Sequence, residues 1–424
     1  MVYTLENARS LGAIALIILV CWLFSENKKR FPVFLAIGAL ALQAGLVLAL
    51  FAIPNSRDVL EGVTAAVDGL AAATDKGSQF VFGYLGGGQS PFMPTDAPLP
   101  FIFGFRVLPL ILVISALSAL LWHWRILEWI TRGFGFVFEK TMGLGGASAL
   151  AVAANIFMGM VESPIVIRAY LDKLTRSELF LMMVVGLATV AGSTMVAYAV
   201  ILAPVLPTAA GHVLVASIIS APAGILLARI MIPEAPDAPK PDYDVTLKYE
   251  SSMDAITHGV QDGVMVAVNV AAFIIVFVAF VWIVNNLLGL LPPLHGEPVT
   301  LQGIFGYVFA PVAYMIGIPW SEAHQAGNIL GVKLFLTEFI AYIDLGAIPV
   351  DAMSERTRMI LTYAICGFAN VASVGIMTGG MSVLMPQRRS EIMSLSWKAL
   401  LPGFLATLMT ASVVAALPAM LFGG

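Results

Sequence analysis

Eight apolar stretches, each long enough to cross a bilayer, most constrain what this chain can fold into. A spanning helix needs about 20 mainly apolar residues, and within lipid only helices and closed barrels satisfy every backbone polar group. The stretches lie near residues 8–25, 31–53, 106–124, 178–203, 207–232, 264–291, 358–385 and 400–421. Of the 424 residues, 59% are hydrophobic and only 11% charged, whereas about a quarter are charged in soluble proteins. The sequence predicts an all-α polytopic protein of the lipid bilayer.

Two shorter apolar stretches, near 143–170 and 326–350, are marked by Gly and Pro. If the eight long stretches span and these two re-enter, most Lys and Arg residues fall on one side, as the positive-inside rule requires. The basic run 28–30 then faces the cytoplasm, which places the N-terminus and, eight spans later, the C-terminus in the periplasm. Arg356 and Arg358 are the main exceptions. We therefore predict eight transmembrane helices plus two re-entrant hairpins.

Two polar segments separate these units. Residues 56–76 carry apolar side chains at helical spacing opposite charged ones, a pattern typical of a helix lying along the membrane interface. The Pro-rich acidic segment 233–244 is a predicted linker. Four regions follow: N-terminal scaffold and interfacial helices (1–142), a first repeat (143–232), a linker with a scaffold helix and an outer helix (233–325), and a second repeat (326–424).

A short internal repeat relates the two halves. Residues 186–191 read GLATVA and residues 367–372 read GFANVA, each inside a long apolar stretch. Each string brings helix-weakening residues to mid-membrane, and each follows a hairpin stretch with one glutamate, Glu162 or Glu338. Because an odd number of crossings separates them, the two units point in opposite directions. Inverted repeats with discontinuous helices are typical of secondary transporters.

Glu162 and Glu338 are the first candidates for function. An ionisable group within the membrane normally faces a cavity or a partner and marks a functional site. The structural alternatives are local ion pairs, Glu162 with Arg168 and Glu338 with Lys333. In the functional interpretation both carboxylates face one cavity with Asn370 and Ser373. Carboxylates and amides together suit a neutral, polyhydroxylated solute, because a carboxylate accepts two hydroxyl hydrogen bonds.

Asn155 and Thr189 are the other neutral polar residues at depth. Their oxygens, with carbonyls freed by broken helices, are the ligands that a hard cation such as sodium prefers. The alternative is an ordinary hydrogen bond from each side chain to the neighbouring backbone. We predict that they contribute to a sodium site, with a proton carried by Glu338 as the alternative means of coupling.

Several classes of function are disfavoured. None of the five histidines has a partner at metal-ligand spacing, and neither the HExxH motif nor a Walker A motif is present. No basic patch suited to nucleic acid occurs. Cys21 and Cys366 lie in apolar surroundings, which favours small core residues over a disulfide. We expect neither an enzyme nor a nucleic-acid-binding protein.

Four longer strings now carry a resemblance to a known family. NIFMGMVESPIVIRAYLDKLTRSELF, TVAGSTMVAY, TEFIAY and RTRMILTYAICGFANVASVGI are similar, in order and spacing, to hallmarks of the concentrative nucleoside transporter family. The likeness runs from about residue 100 to the C-terminus, and the two early spans and the interfacial helix suit bacterial members.

The resemblance implies a homotrimeric symporter that imports nucleosides across the bacterial inner membrane, driven by a sodium or proton gradient. A transport domain would move against a fixed scaffold, in an elevator mechanism. Carried over by position, Glu162 and Glu338 would contact the ribose hydroxyls. Asn370 and Ser373 would lie beside the sugar, Phe368 and Thr194 would line the site, and sodium would be bound by the side chains of Asn155 and Thr189 and the carbonyls of Met158 and Val190.

One departure from the family pattern concerns the nucleobase. The family usually carries Gln-Thr before the first hairpin glutamate, and these polar groups read the base. Here Met160 and Val161 occupy those positions and form no equivalent hydrogen bonds. Each unpaired polar group on a bound base would cost about 1–3 kcal/mol unless water bridges it. Purine or pyrimidine preference is left open. A milder departure is Thr337, where Asn is common.

The sequence thus predicts a cation-coupled nucleoside importer, with sodium favoured over protons. Two alternatives stay open at this point. The Met160–Val161 pair is compatible with a membrane receptor or regulatory protein that binds nucleosides without net transport. A membrane enzyme is disfavoured, because the sequence holds no recognisable nucleophile–base pair or metal cluster.

Overall fold

The computed structural model describes residues 5–51, 56–90, 102–235, 247–293 and 298–418, which contain α- and 3-10 helices and no strand. Helices α1 to α10 are Leu5–Leu23, Val33–Phe51, Ser56–Phe82, Phe103–Arg106, Leu108–His123, Ile126–Met142, Gly146–Ala154, Arg176–Ala188, Gly192–Leu202 and Ala209–Met231. Helices α11 to α17 are Ser252–Leu288, Leu301–Met315, Trp320–Phe335, Glu338–Ala347, Glu355–Ile365, Val371–Leu384 and Arg389–Ala416. Short 3-10 helices are Gly83–Gly86, Ser163–Lys173, Val350–Ala352 and Pro386–Arg388.

Eight membrane-crossing units account for the predicted spans. By length and composition, seven units of the described chain qualify as spans: α1, α2, α4 with α5, α8 with α9, α10, α11 and α17. We assign the eighth to α15 and α16, which cover the predicted stretch 358–385 and are divided by a non-helical break. Helices α12 and α13 bend by 118° at their junction, so we assign them to an arm and a hairpin limb. This agrees with the predicted fold of eight spans and two hairpins.

The second half repeats the element order of the first. Helix α5 is followed by arm helix α6, a hairpin (α7 and Ser163–Lys173), a broken helix (α8 and α9) and the straight helix α10. Helix α11 is likewise followed by arm helix α12, a hairpin (α13 and α14), a broken helix (α15 and α16) and α17. The repeat predicted from two six-residue strings therefore extends over five elements in each half.

Burial divides the helices into a central and a peripheral set. The spanning windows of α8/α9, α10 and α17 are 94%, 89% and 83% buried, but that of α11 is only 11% buried. Helix α11 packs along α5, where a Cβ at Gly259 or Gly263 would come within 2.6 and 2.8 Å of an α5 backbone atom. Small residues allow such close backbone approach between membrane helices. The paired α5 and α11 thus lie outside the central bundle.

An ionic cluster joins the α1–α2 loop to the bundle. Glu26 accepts hydrogen bonds from Lys398 (2.7 Å) and Arg176 (3.0 Å), and its backbone amide donates to Met231 at 2.9 Å. Partial burial acts to raise the pKa of the Glu26 carboxyl, but the hydrogen bonds from Lys398 and Arg176 outweigh it and lower that pKa. The three contacts tie α8, α10 and α17 to the loop.

The structure refines several segment boundaries. The amphipathic helix α3 extends to Phe82, beyond the predicted 56–76, and the second hairpin begins at Trp320 rather than near 326. Of the predicted linker 233–244, residues 236–244 lie outside the described residues. Cys21 and Cys366 are both buried and free, as expected for core residues.

Candidate functional site

The two helix breaks carry the repeated strings and meet at the centre of the bundle. The first break lies between α8 and α9 and contains Thr189, and the second lies between α15 and α16 and contains Phe368. The Phe368 amide donates to the Thr189 carbonyl at 3.2 Å. A Cβ on Gly367 would lie 2.7 Å from the Ala188 carbonyl oxygen. Glycine at 367 thus allows the two interrupted helices to contact each other directly.

Glu338 begins α14 at the tip of the second hairpin and is 5% exposed. Its carboxylate accepts a hydrogen bond from the Tyr198 hydroxyl at 2.8 Å and one from Asn370 Nδ2 at 2.5 Å. Asn370 Oδ1 in turn accepts the Ser373 amide at 2.7 Å and so caps α16. The carboxylate is therefore held by groups from both broken helices, α9 and the start of α16.

Local pairing does not explain Glu338. Lys333, fully buried, donates to Thr407 Oγ1 at 2.9 Å, and its ammonium lies 4.7 Å from the centre of the Phe404 ring. Within the described residues no ion pair joins Lys333 to Glu338. Thr337, which differs from the family pattern, caps α14 by accepting the Ile340 amide at 3.3 Å. A local ion pair with Lys333 therefore does not account for the carboxylate at the hairpin tip.

Glu162 lies at the tip of the first hairpin, directly before its 3-10 limb. Its Oε2 accepts the Gly159 amide at 3.2 Å. No ion pair among the described residues joins it to Arg168, which is exposed on the far part of the limb. The half-buried carboxylate therefore retains acceptor capacity toward the space beside it.

One cavity collects residues from both hairpins, both broken helices and α11. All eight residues predicted for substrate binding line it, and these are Met160, Val161, Glu162, Thr194, Glu338, Phe368, Asn370 and Ser373. The N-termini of α9, α14 and α16 open onto it through Ser193, Phe339 and Ser373. Such termini carry partial positive charge that favours polar or anionic ligand groups. The wall formed by α11 is mainly apolar.

Asn155 and Thr189, two of the four residues predicted for a cation, lie in direct contact behind the first hairpin tip. Thr189 Oγ1 is 3.2 Å from the Asn155 carbonyl and donates to Val185 O at 2.9 Å. Asn155 Oδ1 accepts the Ser163 hydroxyl at 2.7 Å, whereas the buried Asn155 Nδ2 has no partner among the described residues. The four residues Asn155, Met158, Thr189 and Val190 thus belong to the first hairpin tip and the adjoining helix break.

Sequence reasoning missed several residues of this region. Tyr198 lies within the apolar stretch 178–203, yet its hydroxyl contacts a glutamate 140 residues away. Ser217 on α10 lies 3.4 Å from Val190 O and 3.5 Å from Ile156 O. Asn269 and Phe273 reach the cavity from α11. The available signal for Asn269 is an amide side chain inside the apolar stretch 264–291, because such a side chain rarely faces lipid.

Three family profiles match the chain. That of the Na+ dependent nucleoside transporter N-terminus matches residues 12–85, and that of the C-terminus of the same transporters matches residues 212–415. A nucleoside recognition (Gate) profile matches residues 104–205. Together the profiles cover most of the described helices.

Full-length relatives give the same result. The chain is 38% identical over 408 residues to the uncharacterized transporter YutK of Bacillus subtilis, covering 95% of this chain and 97% of that one. It is 34% identical over 412 residues to the nucleoside permease NupC of Helicobacter pylori, covering 95% and 96%. The solved structure of CNTnw in an inward-facing substrate-bound state superposes with a TM-score of 0.86 at 32% identity, over 97% of this chain and 98% of that one.

The profiles, the relatives and the shared architecture agree with the resemblance noted in the sequence. The relatives of this chain named above are permeases and transporters rather than enzymes. The chain belongs to the concentrative, Na+ dependent nucleoside transporter family of multi-pass membrane proteins.

Proposed function

We propose that this protein is a secondary active importer that couples the entry of nucleosides to a cation gradient, with sodium as the coupling ion. The single observation that carries the proposal is the shared cavity, in which Glu162 and Glu338 from two different hairpins lie with Asn370. Two carboxylates and an amide form an acceptor-rich site for vicinal hydroxyls, as in ribose.

The roles of the lining residues follow from their contacts. Glu338 keeps its orientation through Tyr198 and Asn370, so its remaining lone pairs are positioned to accept ribose hydroxyls. Glu162, with one backbone contact, accepts from the opposite side. Ser373 and Thr194 flank the sugar, and Phe368 provides an apolar surface against it. Met160 and Val161 line the base half and contribute shape but no strong hydrogen bonds.

The oxygens near Asn155 suit a sodium ion. The side chains of Asn155 and Thr189 would bind it with the carbonyls of Met158 and Val190, a neutral oxygen set. The buried Asn155 Nδ2, which has no hydrogen-bond partner in the described part of the chain, supports this assignment. If the amide is rotated by 180°, Nδ2 donates a hydrogen bond to Ser163 Oγ. Oδ1 then points away from Ser163 and is free to bind the cation. Neutral oxygens favour sodium over a proton, and Glu338 is the site at which a proton would act instead.

Coupling follows from the shared elements. Asn155 and Glu162 belong to the same hairpin tip, and the Phe368–Thr189 hydrogen bond joins the break beside the cation to the break beside the substrate. A cation that orders this junction lowers the free energy required for substrate to bind, and the converse holds by linkage. We propose that the two repeats, 143–232 and 326–424, move as one transport domain past a scaffold containing α5 and α11.

Assembly and location complete the proposal. We propose a homotrimer in the bacterial inner membrane with both termini in the periplasm. The exposed apolar residues of α11, among them Ile275, Phe280 and Trp282, support a scaffold helix that faces lipid or another subunit. Regions 1–142 and 233–325 would supply most of that scaffold.

Uptake into proteoliposomes tests the proposal. We expect labelled uridine, cytidine, adenosine or inosine to accumulate above its external concentration under an inward sodium gradient. We expect no accumulation when choline replaces sodium. Accumulation under a proton gradient alone would reassign the coupling ion, and failure of every nucleoside under both gradients would refute the importer.

A receptor function is the second candidate, favoured by the apolar Met160–Val161 pair in the base half of the cavity. A nucleoside receptor would give saturable binding to the purified protein without accumulation in the same proteoliposomes. The two functions are therefore separated by one preparation measured in two ways.

Thr189→Val removes one hydroxyl oxygen beside Asn155 with little change in volume. We expect the sodium concentration that half-saturates uptake to rise about tenfold, since losing one ligand costs roughly 1.4 kcal/mol. The measurement is initial uptake rate against sodium concentration. Thr208→Val, at an exposed residue before α10, is the matched control and should leave the sodium dependence unchanged. An unchanged value in the Thr189 variant would exclude that hydroxyl from the cation site.

A further inference from the structure

The base half of the cavity is apolar on its hairpin side, because both residues before Glu162 pack into the bundle. Met160 is 8% exposed, and its Cβ lies 2.8 Å from the position that a Cβ on Gly186 would occupy. The Val161 methyl groups pack directly against Gly380 of α16. These two side chains pack the hairpin tip against the neighbouring helices and offer no hydrogen-bonding groups. The polar edge of a bound base must therefore hydrogen-bond to another wall of the cavity.

The opposite wall of the cavity carries one polar side chain among apolar ones. Helix α11 contributes Val266, Val270, Phe273 and Ile274, and in their midst Asn269. Within the described residues the Asn269 side chain forms no hydrogen bond. It is exposed in the single chain and lies near the middle of the 37-residue helix. An exposed amide inside a membrane-spanning stretch is costly if it faces lipid, so it is expected to face a hydrated cavity or a ligand.

Helical spacing shows which way Asn269 faces. His258, Asp262 and Asn269 follow one another at four and seven residues, which puts them on one side of α11. His258 and Asp262 line a second cavity, which shares Glu162 and Ser193 with the first. This polar side of α11 therefore faces two adjoining cavities, from near the start of the helix to its middle.

We propose that Asn269 reads the nucleobase and is the main determinant of base specificity in this protein. The inference rests on the proposed nucleoside transport. A carboxamide offers one donor and one acceptor side by side, which matches base edges with an adjacent acceptor and donor, such as N1 and N6 of adenine or N3 and O4 of uracil. Specificity is thus supplied by the scaffold helix α11, and the ribose is held by the hairpins.

The test compares transport of bases with and without the matching edge. Uridine is paired with 3-methyluridine and adenosine with purine riboside, and each competes against uptake of the labelled parent nucleoside. A ribose analogue without a base, 1,4-anhydro-D-ribitol, reports the sugar half alone. In the native protein we expect the intact edge to be favoured about tenfold, the effect of leaving one buried polar group unpaired.

The variants are Asn269→Leu and Asn269→Ala, with Gln261→Leu on an exposed face of the same helix as the control. We expect both Asn269 variants to reduce that preference to less than twofold, with inhibition by 1,4-anhydro-D-ribitol unchanged. The control should keep the native preference.

Two other results would overturn the inference, and a third would refute the proposed function. Preference retained by both Asn269 variants would overturn the inference, as would loss of 1,4-anhydro-D-ribitol binding together with the base preference, which would indicate a structural role. Failure of the native protein to take up any nucleoside would instead refute the proposed function itself.

Discussion

Replacing Glu338 with glutamine is expected to lower nucleoside uptake at least about a hundredfold while leaving the protein folded in the membrane. The carboxylate accepts from Tyr198 and Asn370 and, in our proposal, from the ribose hydroxyls. A glutamine keeps the volume but replaces one acceptor oxygen with an NH2 donor. Hydrogen bonds to charged groups contribute about 1.5–3 kcal/mol each, so two weakened bonds account for the factor.

The measurement is initial uptake into proteoliposomes, with the amount of inserted protein and its elution from a sizing column as folding checks. Glu355→Gln, at an exposed carboxylate at the start of α15, is the control and should transport normally. Glu162→Gln should also cripple transport, since it removes the acceptor on the other hairpin. Near-normal uptake by Glu338→Gln would mean that the carboxylate does not hold substrate.

Gly367→Ala is the second substitution with a large expected effect, although it adds a single methyl group. That Cβ would lie 2.7 Å from the Ala188 carbonyl oxygen and 2.6 Å from Thr407 Cγ2. The first is backbone, so the two breaks must move apart and strain the Phe368–Thr189 hydrogen bond. Overpacking of this kind costs about 1–3 kcal/mol. We expect at least a tenfold loss of uptake and a lower thermal unfolding midpoint.

Gly375→Ala provides the matched control within α16, because no atom lies within 4 Å of the added Cβ. It should transport normally and melt no lower than the native protein, since alanine favours helix over glycine. Equal behaviour of the two variants would show that the junction of the breaks is not a critical contact.

The sequence predicted the fold well because membrane burial leaves few ways to place a polar residue. Carboxylates and amides inside apolar stretches avoid lipid by facing a common cavity. This reasoning predicts that Glu162, Glu338 and Asn370 line one cavity. The strings GLATVA and GFANVA marked the two breaks, and these breaks are in contact. The resemblance to the family added Met160, Val161, Thr194 and Phe368, which line the same cavity.

What the sequence did not reveal depends on contacts between distant segments. Tyrosine occurs often in apolar helices, so the sequence does not distinguish Tyr198 from its neighbours. Its contact with Glu338 becomes visible only in the fold. Ser217 lies on α10 and reaches Val190 across the bundle. The arm helices α6 and α12 lack matching sequence strings, so the full length of the repeat emerged only from the element order.

A structure of the protein with bound nucleoside in sodium tests the central claim most directly. We predict that the ribose hydroxyls lie within hydrogen-bond distance of Glu338 and Glu162, with the sugar beside Asn370 and the base between the first hairpin tip and α11. A nucleoside bound elsewhere, or one whose sugar contacts neither glutamate, would contradict the account.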